Sequence, residues 1–418
     1  MSNKKIKILT LSDHPLYYSG VGIQTKLFIE SMLQTEKFQF ISLAGALEHK
    51  DSTPVRTERY GDDWKIFPVN GYGTEDMVRS VMREERPDII WLMTDPRYWT
   101  WLWQIEDEIR KHCPIVYYHV WDNYPAPHFN KPYYNSNDLI VSASRVTEEI
   151  VREVSKDSKQ IYIPHTYDSQ IYRKLPSEEV LEFKKKYFGE QDRFLFFWNN
   201  RNTQRKNVTT VLWWFKRFLE SNNNPQDVSL LIHTDPNERT GSNIEFNIDH
   251  LGLNDGQALL SPLKYEPEQM ALLYNTVDCT INISDAEGFG LSTLESLACG
   301  TPIIVNKTGG LTEQVSDGTN MFGIGIEPST RTIIGSQSVP YIYQDRVTES
   351  DFINALTHIY KKSESELEEM GRLGMEYVRK EYNISSFSEK WEQSLVSLYD
   401  SIGSWETKKI KNLKVHTI

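Results

Sequence analysis

Asp278-Cys-Thr-Ile-Asn-Ile-Ser-Asp-Ala-Glu-Gly-Phe-Gly-Leu-Ser-Thr-Leu-Glu295 decides the fold. The apolar run Cys279–Ser284 has the length of a strand, a turn bearing Gly288 and Gly290 follows, and a helix begins near Leu291. A strand running through a glycine turn into a helix is the repeating unit of a parallel sheet with helical crossovers. The two glycines let backbone approach a ligand around Phe289, and the first amides of the helix, at Leu291 and Ser292, have no partner inside it. Such a start attracts phosphate through its N–H groups and dipole. Glu287 stands in the turn and Glu295 about a turn inside the helix, placed to meet sugar and ribose hydroxyls respectively.

Outward from this stretch the same alternation recurs. Strand-length apolar runs in the first half are Lys5–Leu11, Phe38–Ala44, Trp64–Pro68, Ile89–Met93, Ile115–His119, Leu139–Ser142 and Gln160–Ile163, with helical stretches Gly22–Leu33, Glu75–Glu85 and Trp99–Lys111 between them. Tyr167–Asp192 holds no strand and carries the charged run Glu178–Lys186, as a connector does. A second series follows: Phe194–Asn199, Val228–Thr234, Ala258–Leu263, Cys279–Ser284 and Pro302–Asn306. The class is α/β, with an N-terminal Rossmann-like domain at 1–168, a linker at 169–189, a second Rossmann-like domain at 190–385, a helix at 386–402 and a tail at 403–418. Glu327–Ser350, rich in Ser, Thr and Gly, reads as a long loop without an assigned role, and the lysine-rich Lys408–Lys414 as a solvated tail.

Composition narrows the function classes. The 418 residues carry 46 Lys+Arg against 58 Asp+Glu, a formal net charge of −12, which argues against wholesale coating of nucleic acid. No run is long and apolar enough for a bilayer span, and the beginning of the sequence lacks a signal-peptide core, so a cytoplasmic protein is expected. Cys113, Cys279 and Cys299 lie far apart in apolar segments and read as reduced core thiols. Histidine and cysteine spacings give no zinc site, and the absence of any Asp-x-Asp removes that metal clamp. Trp91, Trp99, Trp101 and Trp103 read as core packing rather than a stacking platform.

Three further elements carry chemistry. Trp198-Asn-Asn-Arg-Asn-Thr-Gln-Arg-Lys-Asn207 places Arg201, Arg205 and Lys206 directly after a buried strand, a choice that suits a diphosphate at the carboxyl edge of the sheet. The segment Leu11-Ser-Asp-His-Pro-Leu-Tyr-Tyr-Ser-Gly-Val-Gly22 precedes a helix, and Gly20 and Gly22 permit close contact between the helix start and a phosphate or acceptor. It stops short of the three-glycine dinucleotide fingerprint. His119 ends a strand, where a side chain facing the cleft is expected.

Taken with Ala298-Cys-Gly-Thr-Pro-Ile-Ile-Val305 and Gly309-Gly-Leu-Thr-Glu313, the Glu287–Glu295 stretch resembles the double-glutamate signature of retaining nucleotide-sugar glycosyltransferases of family four, which have the GT-B fold of two Rossmann-like domains facing across a cleft. The resemblance is strong over Phe194–Gly318 and weak across Asp51–Glu85 and Glu327–Ser350. It implies a metal-independent hexosyl- or pentosyltransferase with no cofactor beyond its nucleoside-diphosphate sugar. It also implies that Arg201 and Lys206 clamp the leaving diphosphate, that the Gly20–Gly22 loop closes on the donor, and that His119 contacts the sugar. Asn200 and Arg205 replace the glycine and acidic residue usual there, so Arg205 competes with Arg201. Ile163-Pro-His-Thr-Tyr-Asp168 resembles the family's hinge before the linker, and the last helix is expected to cross back to the first domain. The implied acceptor is a glycan, a lipid or another small hydroxyl compound. Tyr117-Tyr-His-Val-Trp-Asp-Asn-Tyr-Pro-Ala-Pro127 also resembles bacteriophage transferases, which opens hydroxymethylated cytosine in DNA as an alternative acceptor, with Arg79, Arg83, Arg86, Arg97, Arg110 and Lys111 offering the basic face it needs. The rivals of another class are a sugar-nucleotide epimerase, a phosphorylase and an inactive sugar-nucleotide-binding module.

Overall fold

The computed structural model describes residues 4–51, 53–189 and 193–409. The first sheet has eight strands: β1 (Ile6–Asp13), β2 (Phe38–Leu47), β3 (Val55–Arg56), β4 (Trp64–Asn70), β5 (Ile89–Met93), β6 (Ile115–His119), β7 (Leu139–Ser142) and β8 (Gln160–Tyr162), in the order β3-β4-β2-β1-β5-β6-β7-β8. The second has six: β9 (Phe194–Asn199), β10 (Val228–His233), β11 (Ala258–Ser261), β12 (Cys279–Asn282), β13 (Ile303–Asn306) and β14 (Gly323–Ile326), in the order β11-β10-β9-β12-β13-β14. All neighbours run parallel except the two-residue edge strand β3, which pairs antiparallel with β4. β5, β6, β7, β12 and β13 are buried at every residue because helices cover both faces, and that is why they read as unbroken apolar runs rather than alternating ones.

Strand order fixes where ligands bind. In the first sheet β1 lies between β2 and β5, and in the second β9 lies between β10 and β12. The chain therefore reverses its direction of winding beside β1 and beside β9, and crevices open at the carboxyl ends of the strands there. The segments that emerge are 14–22 in the first sheet, and 200–207 and 283–290 in the second.

The helix Ile384–Ile402 packs on the first sheet, not the second: Trp391 is fully buried, 4.7 Å from Phe28 and 5.1 Å from Tyr118 between ring centroids. Truncating such a residue to alanine costs about 3–5 kcal/mol, so this crossing helix holds the first domain together. The other crossing is tied down too. The Gln24 amide exchanges two hydrogen bonds with Thr166 backbone (2.7 and 3.1 Å), and Thr166 Oγ1 donates to Tyr382 O at 2.7 Å. Trp91, Trp99 and Trp103 lie in the first core with Trp101 packed against it, and all three cysteines are buried free thiols.

Several segments depart from the sequence reading. The stretch 169–189 contains a helix, Ser177–Phe188, whose Phe183 is buried against Leu195 and Tyr274, so it packs with the second sheet. Trp99–Lys111 is two short helices, Thr100–Gln104 and Glu106–Arg110, broken at Ile105. Glu327–Ser350 is an antiparallel hairpin, β15 (Thr330–Ile334) and β16 (Ile342–Arg346). Past the crossing helix, Trp405 stacks on His112 and donates Nε1 to Pro87 O at 2.9 Å; of the Lys408–Lys414 run, residues 410–414 lie outside the described residues. Among the described residues, no helix is long and apolar enough to cross a membrane.

Candidate active site

The end of β9 and the end of β12 are stapled side by side. Asn207 takes a left-handed backbone (φ 60°), and its amide nitrogen donates to Ile283 O at 2.9 Å and to Asp285 Oδ1 at 2.7 Å, while Asp285 N donates to Arg205 O at 2.9 Å. These bonds bring the ammonium of Lys206 into a contact ion pair with the carboxylate of Glu287. Both side chains are almost closed to solvent, at 10% and 12% exposure. Burial alone would raise the Glu287 carboxyl, but Lys206 and Arg205 outweigh it and hold it below the usual carboxylate range. Burial pushes the Lys206 ammonium down, against the pull of Glu287. Arg205 Nη1 stands 3.9 Å from Glu287 and 3.9 Å from Asp122 of the first domain.

The glycine turn lies against the first domain on one side and Gln314 on the other. A Cβ on Gly288 would lie 2.3 Å from Val120 Cγ1 and 2.9 Å from Asp122 Oδ1, so the two domains touch closely at this glycine. Gly290, at φ +97°, stands immediately before the helix Leu291–Ala298. Gln314 Nε2 donates to the carbonyls of Phe289 (2.8 Å) and Gly290 (3.1 Å) and so fixes the turn from behind. The first-turn amides at Leu291 and Ser292 extend from the other side of that turn as a place for anionic oxygen. Glu295, a turn inside, accepts from Tyr274 Oη at 2.9 Å, and Tyr274 accepts from Asn199 Nδ2 at 2.8 Å. Burial raises the Glu295 carboxyl to about 7, with Tyr274 and Tyr172 opposing.

From the first domain, Gly20 faces this helix start: its missing Cβ would sit 3.1 Å from Leu291 Cδ1. Gly22 does not reach it; its amide is held by Ser19 Oγ at 2.9 Å, and its own crowding is against His14 O and Tyr17 O. Across the same rim, the hydroxyl of Tyr18 meets the carboxylate of Glu266.

Two expected site residues stand elsewhere. His119 is fully buried inside the first domain, with Nε2 2.8 Å from Tyr134 Oη and its ring against Tyr117 and Tyr134, and burial lowers it to about 3. His119 is the last residue of β6, and its ring lies with those of Tyr117 and Trp121 in the core, whereas Val120 and Asp122, past the end of the strand, approach Gly288. Arg201 is 73% exposed and pairs with Glu238 at 2.7 Å rather than with Glu287. Asp122 and Tyr274 are the site neighbours that the sequence reading missed. Asp122 lies past the end of β6, where no strand periodicity sets the direction of a side chain.

Solved structures with this architecture share the GT-B fold. Sucrose-phosphate synthase from Thermosynechococcus elongatus superposes with a TM-score of 0.75 at 15% identity, covering 95% of this chain and 100% of that one. Anabaena HepE in complex with UDP and glucose gives 0.68 at 14% identity, over 94% and 100%. The likeness is one of fold, and with the two parallel sheets it makes this an α/β chain of the GT-B class. Residues 180–331, which include β9 to β14 and the Glu287–Glu295 turn, match the family described as Glycosyl transferases group 1. Among curated relatives, a D-inositol 3-phosphate glycosyltransferase of Acidothermus cellulolyticus is 41% identical over 68 residues, 16% of this chain and 15% of that protein. The N-acetyl-alpha-D-glucosaminyl L-malate synthase of Bacillus anthracis is 24% identical over 232 residues, 55% and 57% of the two. The matching stretches thus span 15% to 57% of these relatives' lengths.

Proposed function

We propose that the chain transfers a glycosyl group from a nucleoside-diphosphate sugar to an acceptor hydroxyl, with retention of anomeric configuration and without a metal ion, in the cytoplasm. The observation that carries this reading is the buried Lys206–Glu287 pair beside the helix start at Gly290–Leu291. Charge grows on the departing diphosphate as an oxocarbenium-like sugar forms, so catalysis needs fixed cations and amide dipoles at the leaving group. Lys206 and the first-turn amides supply them, and Arg205, not Arg201, is the second cation at hand. Glu287 orients the sugar. Glu295 holds the ribose through its outer carboxylate edge, with Tyr274 fixing the inner one. The UDP and glucose bound by the HepE relative support a nucleotide-sugar donor. The presence of Lys206, Glu287 and Glu295 together argues against an inactive binding module.

For the acceptor we favour a glycan, lipid or other small hydroxyl compound over hydroxymethylated DNA. Of the six residues expected to form a basic face, Arg79, Arg86, Arg97 and Arg110 are each ion-paired with Asp or Glu. Incubating the protein with its best donor and a panel of glycan, lipid, polyol and DNA acceptors, followed by mass and NMR analysis, tests this. The reading expects added sugar with the donor's anomeric configuration on a non-DNA hydroxyl. Inverted product, or sugar on DNA alone, would count against it.

A further inference from the structure

The hairpin β15–β16 belongs by sequence to the second domain, yet it also makes a set of contacts with the first. Tyr343 N donates to Tyr124 O at 2.6 Å. Tyr341 Oη donates to Ala126 O and accepts from His128 N, both at 3.2 Å, and its ring meets Phe129 edge-on at 5.0 Å. Val339 and Ile342 pack against the core of the first domain. The hydrogen-bond and ring partners all sit in one segment, 121–130, which also carries Asp122.

At the base of the hairpin, Asp345 is 1% exposed. Its carboxylate accepts three hydrogen bonds, from Asn123 Nδ2 of the first domain (2.8 Å), from Thr308 Oγ1 of the second (2.8 Å) and from Arg331 Nε of the hairpin (2.7 Å). Its backbone grips the catalytic turn: Asp345 N donates to Asp285 O at 2.8 Å, and Asp345 O accepts from Asn306 Nδ2 at 2.8 Å. Asp285 is two residues from Glu287, and Asn123 is one residue from Asp122. A single buried carboxylate thus joins the two loops that meet at Gly288, and removing it takes from the buried Asn123 and Thr308 side chains the acceptor they share.

We propose that Asp345 is a positioning residue for glycosyl transfer: it holds segment 121–130, with Asp122, in register against the Glu287 turn, and the hairpin is the clasp that carries it. This rests on the transferase reading of the site. Transfer between groups on two domains depends on their alignment, and a shift of about 1 Å costs on the order of 100-fold in rate.

The test uses the full chain and the variants Asp345→Ala, Asp345→Asn and Tyr341→Phe. Three quantities are measured: amide hydrogen exchange of 121–130, turnover of the best nucleotide sugar, and affinity for whichever of uridine, guanosine or adenosine diphosphate the wild type binds tightest. In Asp345→Ala we expect exchange in 121–130 to rise about tenfold and kcat to fall about 30-fold. Nucleotide affinity should stay within about threefold, because the nucleotide rests on the second domain. Asp345→Asn should recover most of the rate, since its amide oxygen still accepts from Asn123 and Thr308. Tyr341→Phe, which leaves the Asp345 hub intact, should move exchange and kcat the same way by a smaller factor. Unchanged exchange would end the clasp, and faster exchange at full turnover, or Asn no better than Ala, would end the positioning role. A wild type that turns over no nucleotide sugar would instead overturn the transferase reading, while the exchange measurement still decides the clasp.

Discussion

Lys206 and Glu287 form a contact ion pair, nearly sealed from solvent, at the junction of the two loops that leave β9 and β12. Neither residue gains from this arrangement in isolation, because desolvating two charges costs about as much as their attraction returns. On the proposed transferase reading the pair is a prepared site, with Lys206 facing the anion and Glu287 the sugar hydroxyls.

Removing one partner separates these roles. Lys206→Ala strands a buried carboxylate and should cost about 3 kcal/mol of stability in urea titrations, with a loss of about 100-fold in kcat and a smaller change in donor affinity. Lys206→Met with Glu287→Gln should recover the stability but none of the turnover. A double variant with restored activity would remove both residues from the mechanism.

The two arginines of the 200–207 loop differ in the same assay. Arg205→Ala should lower kcat/KM by at least about tenfold, whereas Arg201→Ala, which breaks only an exposed pair with Glu238, should stay within about threefold. The opposite ranking would show that the donor reorganises the loop.

His119 should behave as a core residue. His119→Ala opens a cavity against Tyr134, and thermal unfolding should fall by several degrees. Turnover per folded molecule should stay within about threefold. A loss of about 100-fold without a change in melting temperature would restore its place in the cleft.

Much of this was legible in the sequence, and the exceptions have a common cause. β5, β6 and β12 could be read because both their faces are buried, which leaves an apolar run that needs no knowledge of neighbours. The hairpin could not. Its strands have no core of their own, Ile333 being 62% exposed and Ile334 43%, and its partners lie some two hundred residues earlier in 121–130. The Glu287–Glu295 turn is local, so its glycines announced it. The choice between Arg201 and Arg205 is set by Asn207 bonding to Ile283 O and Asp285, an arrangement across 76 to 78 residues that no spacing rule contains.

Glu295 gives a pH signature. Its carboxyl is raised by burial to about 7, so the folded state holds a proton that the unfolded chain gives up near the ordinary glutamate value of 4.5. The folded state thus binds more protons between these values, and the stabilisation, full below about pH 4.5, is lost as pH rises toward 7. Glu295→Gln should flatten that part of the profile in urea midpoints taken from pH 4.5 to 7.5, and Glu295→Ala should mainly raise donor KM. An unchanged slope in Glu295→Gln would show that the carboxyl is not raised.

The central claim is that this chain stabilises a leaving nucleoside diphosphate with Lys206, Arg205 and a helix start. Nucleoside diphosphate release from a panel of nucleotide sugars, measured with EDTA present for the wild type and Lys206→Ala, tests it most directly. The account predicts release from at least one donor, undiminished by EDTA and about 100-fold slower in the variant. No release from any donor, or release that stops with EDTA and returns only with magnesium or manganese, would contradict it.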